Sequence, residues 1–106
     1  MLGAMEAVQL DQARKRGDPL VLLDVREPFE LAIASVEGAL HIPMRHIPER
    51  LSELDPAARI VVMCHHGVRS AAVCGFLRAQ GFQDVHNLEG GIDAWSSEVD
   101  PSVPLY

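Results

Sequence analysis

The stretch Val61-Val62-Met63-Cys64-His65-His66-Gly67-Val68-Arg69-Ser70-Ala71-Ala72 passes from a β-branched run, through a cysteine and a short glycine-containing loop, into a run that reads as a helix. Strand, tight loop and helix N-terminus in that order form an anion cradle. The loop amides point inward, and the first amides of the helix and its dipole favour negative charge. Cys64, exposed at the rim of such a cradle, is expected to have a lowered pKa and to act as a nucleophilic thiolate. Arg69 adds a fixed charge whose planar fork suits an oxyanion. A small buried hydrophobe at a strand end is the other reading of Cys64. The His65-His66-Gly67-Val68-Arg69 context favours chemistry.

Outward from that loop, strands and helices alternate. Leu20 to Val25 is an apolar run of strand length broken only by Asp24, as suits a central parallel strand covered on both faces. Glu27-Pro28-Phe29-Glu30 starts a helix to about Ala34, with proline and acidic residues in its first turn. Leu40-His41-Ile42 is a short strand ended by Pro43, and Pro48 to Leu54 reads as a short helix. Ile60 to Met63 is the strand before the loop, Ser70 to Gln80 the helix after it, closed by Gly81. Val85-His86-Asn87 is a last strand, and Gly90-Gly91 opens a helix through Trp95. At the other end, Ala4 to Arg16 reads as one helix stopped by Gly17-Asp18-Pro19. The alternation predicts a parallel sheet with right-handed crossovers. Ligands of such sheets sit outside the carboxyl ends of the strands, where the Cys64 loop falls.

Length and composition set bounds. The 106 residues suit one domain with one core, and the balance of apolar and charged residues is that of a globular protein. A formal charge of -6 with scattered Lys and Arg argues against a nucleic-acid surface. No apolar run reaches the ~18 residues of a membrane-spanning helix. Met1 to Leu10 lacks the charged start and apolar core of a secretory leader, so the expected compartment is the cytoplasm. The two cysteines are then expected to be free thiols.

Other residues are also candidates for chemistry. Asp24 in an apolar strand needs a partner, and a buried anchor holding neighbouring loops is favoured over direct catalysis. Arg26 projects to the same face but is expected to be too exposed at the strand end to satisfy Asp24, leaving scaffold pair and pocket wall both open. His65 and His66 are expected to splay toward the rim, either tuning its charge or merely solvated. His41, His46 and His86 read as structural. A zinc site from Cys64, His65, His66 and Cys74 matches no common closed-site spacing, and no metal or organic cofactor is expected. Cys74, one turn into the helix with Val73, Phe76 and Leu77 nearby, reads as core, with a resolving role toward Cys64 as the alternative. Trp95, Leu88 and Ile92 read as core. Gly90-Gly91 is either a second anion-binding turn or a close packing contact.

Four segments together carry a family likeness: Asp24-Val25-Arg26-Glu27-Pro28-Phe29-Glu30, Gly38-Ala39-Leu40-His41-Ile42-Pro43, Cys64-His65-His66-Gly67-Val68-Arg69-Ser70 and Asn87-Leu88-Glu89-Gly90-Gly91-Ile92-Asp93-Ala94-Trp95. In their order and spacing the chain resembles a single-domain rhodanese, the sulfurtransferase module. The resemblance implies an α/β domain with a five-stranded parallel sheet flanked by helices. Cys64 matches the family's persulfide-forming cysteine. His65, His66, Gly67, Val68 and Arg69 match the rest of its six-residue loop, with Ser70 directly after, all as substrate-binding positions. Asp24 and Arg26 match a supporting signature. The loop departs from the vertebrate thiosulfate-type loop, which has a basic residue after the cysteine and ends in threonine.

The expected reaction moves sulfane sulfur from a small anionic donor such as thiosulfate to cyanide, a thiol or a protein cysteine. Two other classes are considered. Cysteine-dependent phosphatases and arsenate reductases use a similar cradle with five residues between cysteine and arginine; here four separate Cys64 from Arg69. A sulfur-carrier module with little turnover on small molecules is the third.

Overall fold

A computed structural model describes residues 3–106; Met1 and Leu2, the first two positions of the leader reading, lie outside the described residues. Five strands form one sheet: β1 (Ala4–Met5), β2 (Val21–Asp24), β3 (Leu40–His41), β4 (Ile60–Met63) and β5 (Val85–Leu88). Their order across the sheet is β1-β5-β4-β2-β3, and every pairing is parallel. Four helices accompany them: α1 (Ala7–Arg16), α2 (Pro28–Ile33), α3 (Val68–Ala79) and α4 (Gly91–Glu98).

β4 lies at the centre and is buried on every residue, as its unbroken apolar run requires. Pleating sorts its side chains: Ile60 and Val62 join one apolar cluster with Leu23, Val73 and Leu77, whereas Val61 and Met63 join a second with Leu10, Leu22, Ile92 and Trp95. α3 therefore covers one face, and α1 with α4 covers the other. No helix among the described residues is long and apolar enough to cross a membrane.

Three elements differ from the sequence reading. Ala4–Met5 is an edge strand rather than helix, because it pairs with Asn87 and Leu88. α1 begins only after Glu6, whose side chain and that of Gln9 cap each other's backbone. The expected helix over Pro48 to Leu54 is replaced by a turn and one short stretch of 3₁₀ helix, Leu51–Glu53, with a second such stretch, Met44–His46, just before it. α3 starts at Val68, two residues before the expected Ser70, which brings Arg69 into its first turn.

Candidate active site

Cys64 follows directly on β4, and the loop to Gly67 ends where α3 begins. Gly67 caps that helix with a φ of 107°, a left-handed conformation that side-chain-bearing residues rarely adopt. This turn swings the backbone round the cysteine sulfur. The Gly67 N–H donates to Cys64 Sγ at 3.1 Å, and the Ser70 hydroxyl lies 3.3 Å from it. Burial pushes the thiol's pKa up, but hydrogen bonds from the Ser70 hydroxyl and from the amides of Ser70, Gly67 and His66 outweigh burial and hold it below the ordinary value. The cradle is thus aimed at the sulfur atom itself. Cys64 is not exposed at a rim as expected; only 1% of it is accessible, and it joins the core cluster under α3.

Ser70 and Asn87 hold the loop from below. The Ser70 hydroxyl donates to Asn87 Oδ1, and Asn87 Nδ2 donates to the Gly67 carbonyl at 3.0 Å. A hydroxyl has a single proton to give. With Cys64 as a thiol it goes to Asn87, and rotation toward Sγ makes it available to the thiolate.

Gly91 explains the second glycine motif. A Cβ there would lie 2.4 Å from the carbonyl oxygens of both Cys64 and His65. Amides at the start of α4 bind those same carbonyls, Ile92 N–H to Cys64 at 2.9 Å and Asp93 N–H to His65 at 3.2 Å. Of the two readings of Gly90-Gly91, close packing is the one observed, and it is against the cysteine loop rather than the sheet. These amides serve the loop instead of an anion.

Arg69 does not stand free. Its two terminal nitrogens each donate to a different oxygen of Glu30, both at 2.7 Å. Glu30 is buried at the start of α2. The Arg69 guanidinium, helped by the Glu27 backbone and the Tyr106 hydroxyl and opposed by burial, brings its carboxyl down to about 2. Glu30 in turn raises Arg69, with a smaller contribution from the Cys64 charge. Arg69 acts on the sulfur as a neighbouring, already paired charge. The fork expected to suit an oxyanion is engaged here by the Glu30 carboxylate.

Asp24 and Arg26 form a second pair behind the first. Arg26 is fully buried, not exposed as expected, and its Nε and Nη2 donate to Asp24 at 2.9 and 2.7 Å. Its remaining donors reach the Ala34 carbonyl at 2.9 Å and the Tyr106 hydroxyl at 2.9 Å. Burial would lower the pKa of Arg26, but Asp24 and Tyr106 more than offset this and raise it. His41 contacts the Arg26 carbonyl through Nε2 at 2.7 Å, a structural role as expected. Asp24 and Arg26 thus form a scaffold pair.

His65 and His66 lie face to face, ring centroids 3.8 Å apart, and His65 also stacks on Tyr106 at 3.8 Å. His66 is exposed and 3.6 Å from Asp93; His65 Nε2 is buried and has no hydrogen-bond partner among the described residues. Ligand-capable atoms of His65, His66 and Asp93 fall within 4.8 Å of one another. Imidazole lone pairs lie in the ring plane, and rings stacked 24° from parallel do not aim at one point between them. Cys74 is buried in the core, and burial pushes its thiol up to about 11. Val68 is the exposed tip of the loop, 79% accessible.

Glu30, Asn87 and Tyr106 escaped the sequence reading. Glu30 offered only a first-turn acid and Asn87 a polar residue in a short strand. Tyr106, in the Pro-interrupted tail, offered no signal.

Known proteins share this fold. The rhodanese-like domain family model matches residues 6–98. A sulfurtransferase of Allochromatium vinosum is 36% identical over 103 residues, covering 97% of this chain and 96% of that protein. Thiosulfate sulfurtransferase GlpE of Pseudomonas aeruginosa is 34% identical over 89 residues, covering 84% of this chain and 79% of that one. The Arabidopsis thaliana rhodanese-like/PpiC domain-containing protein 12, chloroplastic, is 44% identical over 93 residues, covering 84% of this chain, which spans only 31% of that protein. The crystal structure of a rhodanese-related protein from Thermoplasma volcanium superposes with a TM-score of 0.84 at 36% identity, covering 98% of this chain and 99% of that chain. With a parallel five-stranded sheet, a cysteine loop at its carboxyl edge and a family match over most of its length, this chain belongs to the rhodanese-like domain family.

Proposed function

We propose that this chain is a sulfurtransferase working through a persulfide on Cys64. The observation that carries the reading is the convergence of three backbone amides and the Ser70 hydroxyl on one buried, pKa-lowered sulfur. In the first half-reaction the Cys64 thiolate attacks the outer sulfur of the donor. The donor's sulfur–sulfur bond breaks and its remainder leaves with the electron pair; from thiosulfate that remainder is sulfite. The same amides stabilise the persulfide's terminal charge. In the second half-reaction an acceptor thiolate or cyanide attacks the outer sulfur, and Cys64 leaves as the thiolate. No metal or organic cofactor enters either step.

The Glu30–Arg69 pair bears on the donor. With both terminal nitrogens of Arg69 engaged, a sulfonate group would be held mainly by backbone amides. Thiosulfate then serves as a donor in vitro, and a persulfide donor of lower charge suits the site better. Exposed Val68 at the loop tip and Phe29 beside Glu30 favour a protein cysteine as acceptor over cyanide. A thiolate of this kind must stay reduced, which suits the cytoplasm.

The test is intact mass after incubation with thiosulfate, on wild type and Cys64→Ser, before and after cyanide. One added sulfur atom, absent in the variant and removed by cyanide, is the expected result. An adduct that persists in Cys64→Ser would overturn the mechanism.

A further inference from the structure

We propose that Tyr106 is a positioning residue for the cysteine loop, tying the buried Asp24–Arg26 pair to the half-buried Glu30–Arg69 pair from a tail that lies beyond the family-matched residues. The assignment of a catalytic effect rests on the sulfurtransferase reading above; the geometry does not.

Tyr106 makes three specific contacts, each with a different part of the site. Its hydroxyl accepts from Arg26 Nη1 at 2.9 Å and donates to Glu30 Oε1 at 2.9 Å. That Glu30 oxygen is also the one that receives Arg69 Nη2. Its ring lies on the His65 ring, 3.8 Å away and within 6° of parallel. The phenol therefore hydrogen-bonds to both the Asp24–Arg26 scaffold pair and the carboxylate of the Glu30–Arg69 loop pair. It uses its single proton and a lone pair to do so. The tail is itself anchored, with the Ser96 hydroxyl donating to the Val103 carbonyl and Val103 packed against the α1 and α4 face.

Removing the hydroxyl has a definite consequence. Glu30 Oε1 loses a donor, and Arg26 Nη1 keeps only a long contact with the Glu30 carbonyl at 3.4 Å. The carboxylate that fixes Arg69 is then free to shift toward Arg26. Arg69 belongs to the first turn of α3, whose preceding amides are aimed at Cys64. A shift there relaxes the cradle and lowers the thiolate fraction. Tyr106 acts on the sulfur through Glu30 and Arg69, without touching it.

Tyr106→Phe keeps the ring on His65 and deletes only the hydroxyl. The readouts are the rate of Cys64 alkylation by iodoacetamide at neutral pH, which needs no sulfur donor, and the rate of sulfur loading from thiosulfate. Both are expected to fall about tenfold, within the range for residues sharing one hydrogen-bond network. In an Arg69→Met background the same substitution is expected to cost less than about twofold, because the link it acts through is gone. Tyr106→Ala, which also removes the stack, should fall further than Tyr106→Phe. Equal losses in both backgrounds, or alkylation unchanged by Tyr106→Phe, would overturn the positioning role. If wild type takes up no sulfur, the functional reading fails while the alkylation cycle still decides Tyr106.

Discussion

Glu30 gives the sharpest test of how the loop is held. Its carboxyl sits at about 2 in the folded protein against an ordinary 4.5, a difference of about 2.5 pKa units. Each unit is worth about 1.36 kcal/mol, so the ionised carboxylate contributes at most about 3 kcal/mol, its own side chain being 5% accessible and that of its partner Arg69 33%. A depressed carboxyl stabilises the fold above its unfolded pKa, and the contribution is lost as pH falls toward the folded value. The window is therefore pH 4.5 down to 2, with about 2 kcal/mol already gone at pH 3. Glu30→Gln removes the titration and leaves Arg69 with a neutral partner. Urea unfolding of both proteins at pH 5, 4 and 3 measures the effect. Wild type should be the more stable at pH 5 by at most about 3 kcal/mol, with the gap closing to about 1 kcal/mol at pH 3. Parallel stability curves for the two proteins would refute the assignment of this charge to the Glu30–Arg69 pair.

Three further outcomes are expected. Cys74→Ser should keep most sulfur loading, and Cys74 should resist iodoacetamide at neutral pH, since its buried thiol is held near 11; a large loss in a folded variant would revive a resolving role. Gly91→Ala should cost about 1–3 kcal/mol from the positive φ alone and more from the contact at 2.4 Å with two loop carbonyls, with sulfur loading falling alongside; thermal melting at wild-type temperature would contradict that packing. Asp24→Asn leaves the fully buried Arg26 without its counter-charge and should destabilise by about 3–5 kcal/mol in urea, whereas a purely surface pair would lose under about 1 kcal/mol.

What the sequence disclosed follows from how local each feature is. β4 was legible to its ends because four consecutive apolar residues have no other place than a covered central strand, and Cys64 directly after them falls at the carboxyl edge. Asp24 was legible as an anchor because a charge in an apolar run must be answered. Arg26 was misjudged because its burial comes from α2 and the tail folding over it, which bring the Ala34 carbonyl and Tyr106 to its donors. Ala4–Met5 was misread because a two-residue strand has almost no pattern of its own; its partners Asn87 and Leu88 are at the other end of the chain. The partner of Arg69 was not legible because its counter-charge lies 39 residues earlier.

The same distances explain why the chemistry sits where it does. The cysteine loop is held by Asn87 from β5, Gly91 and Ile92 from α4, Glu30 from α2 and Ser70 from α3. In a parallel sheet the helices following β2, β4 and β5 all begin at the same edge, so their first turns converge there. A loop of four residues between Cys64 and Arg69 cannot fix its own amides; it borrows rigidity from four neighbouring elements. A partner-free Arg69 would bind anions more strongly, but it would also leave the first turn of α3 free to move. Pairing it with a buried carboxylate gives up some anion affinity and keeps the amides trained on the sulfur. For the proposed reaction, in which the Cys64 sulfur serves first as nucleophile and then as leaving group, that preorganisation is the larger contribution.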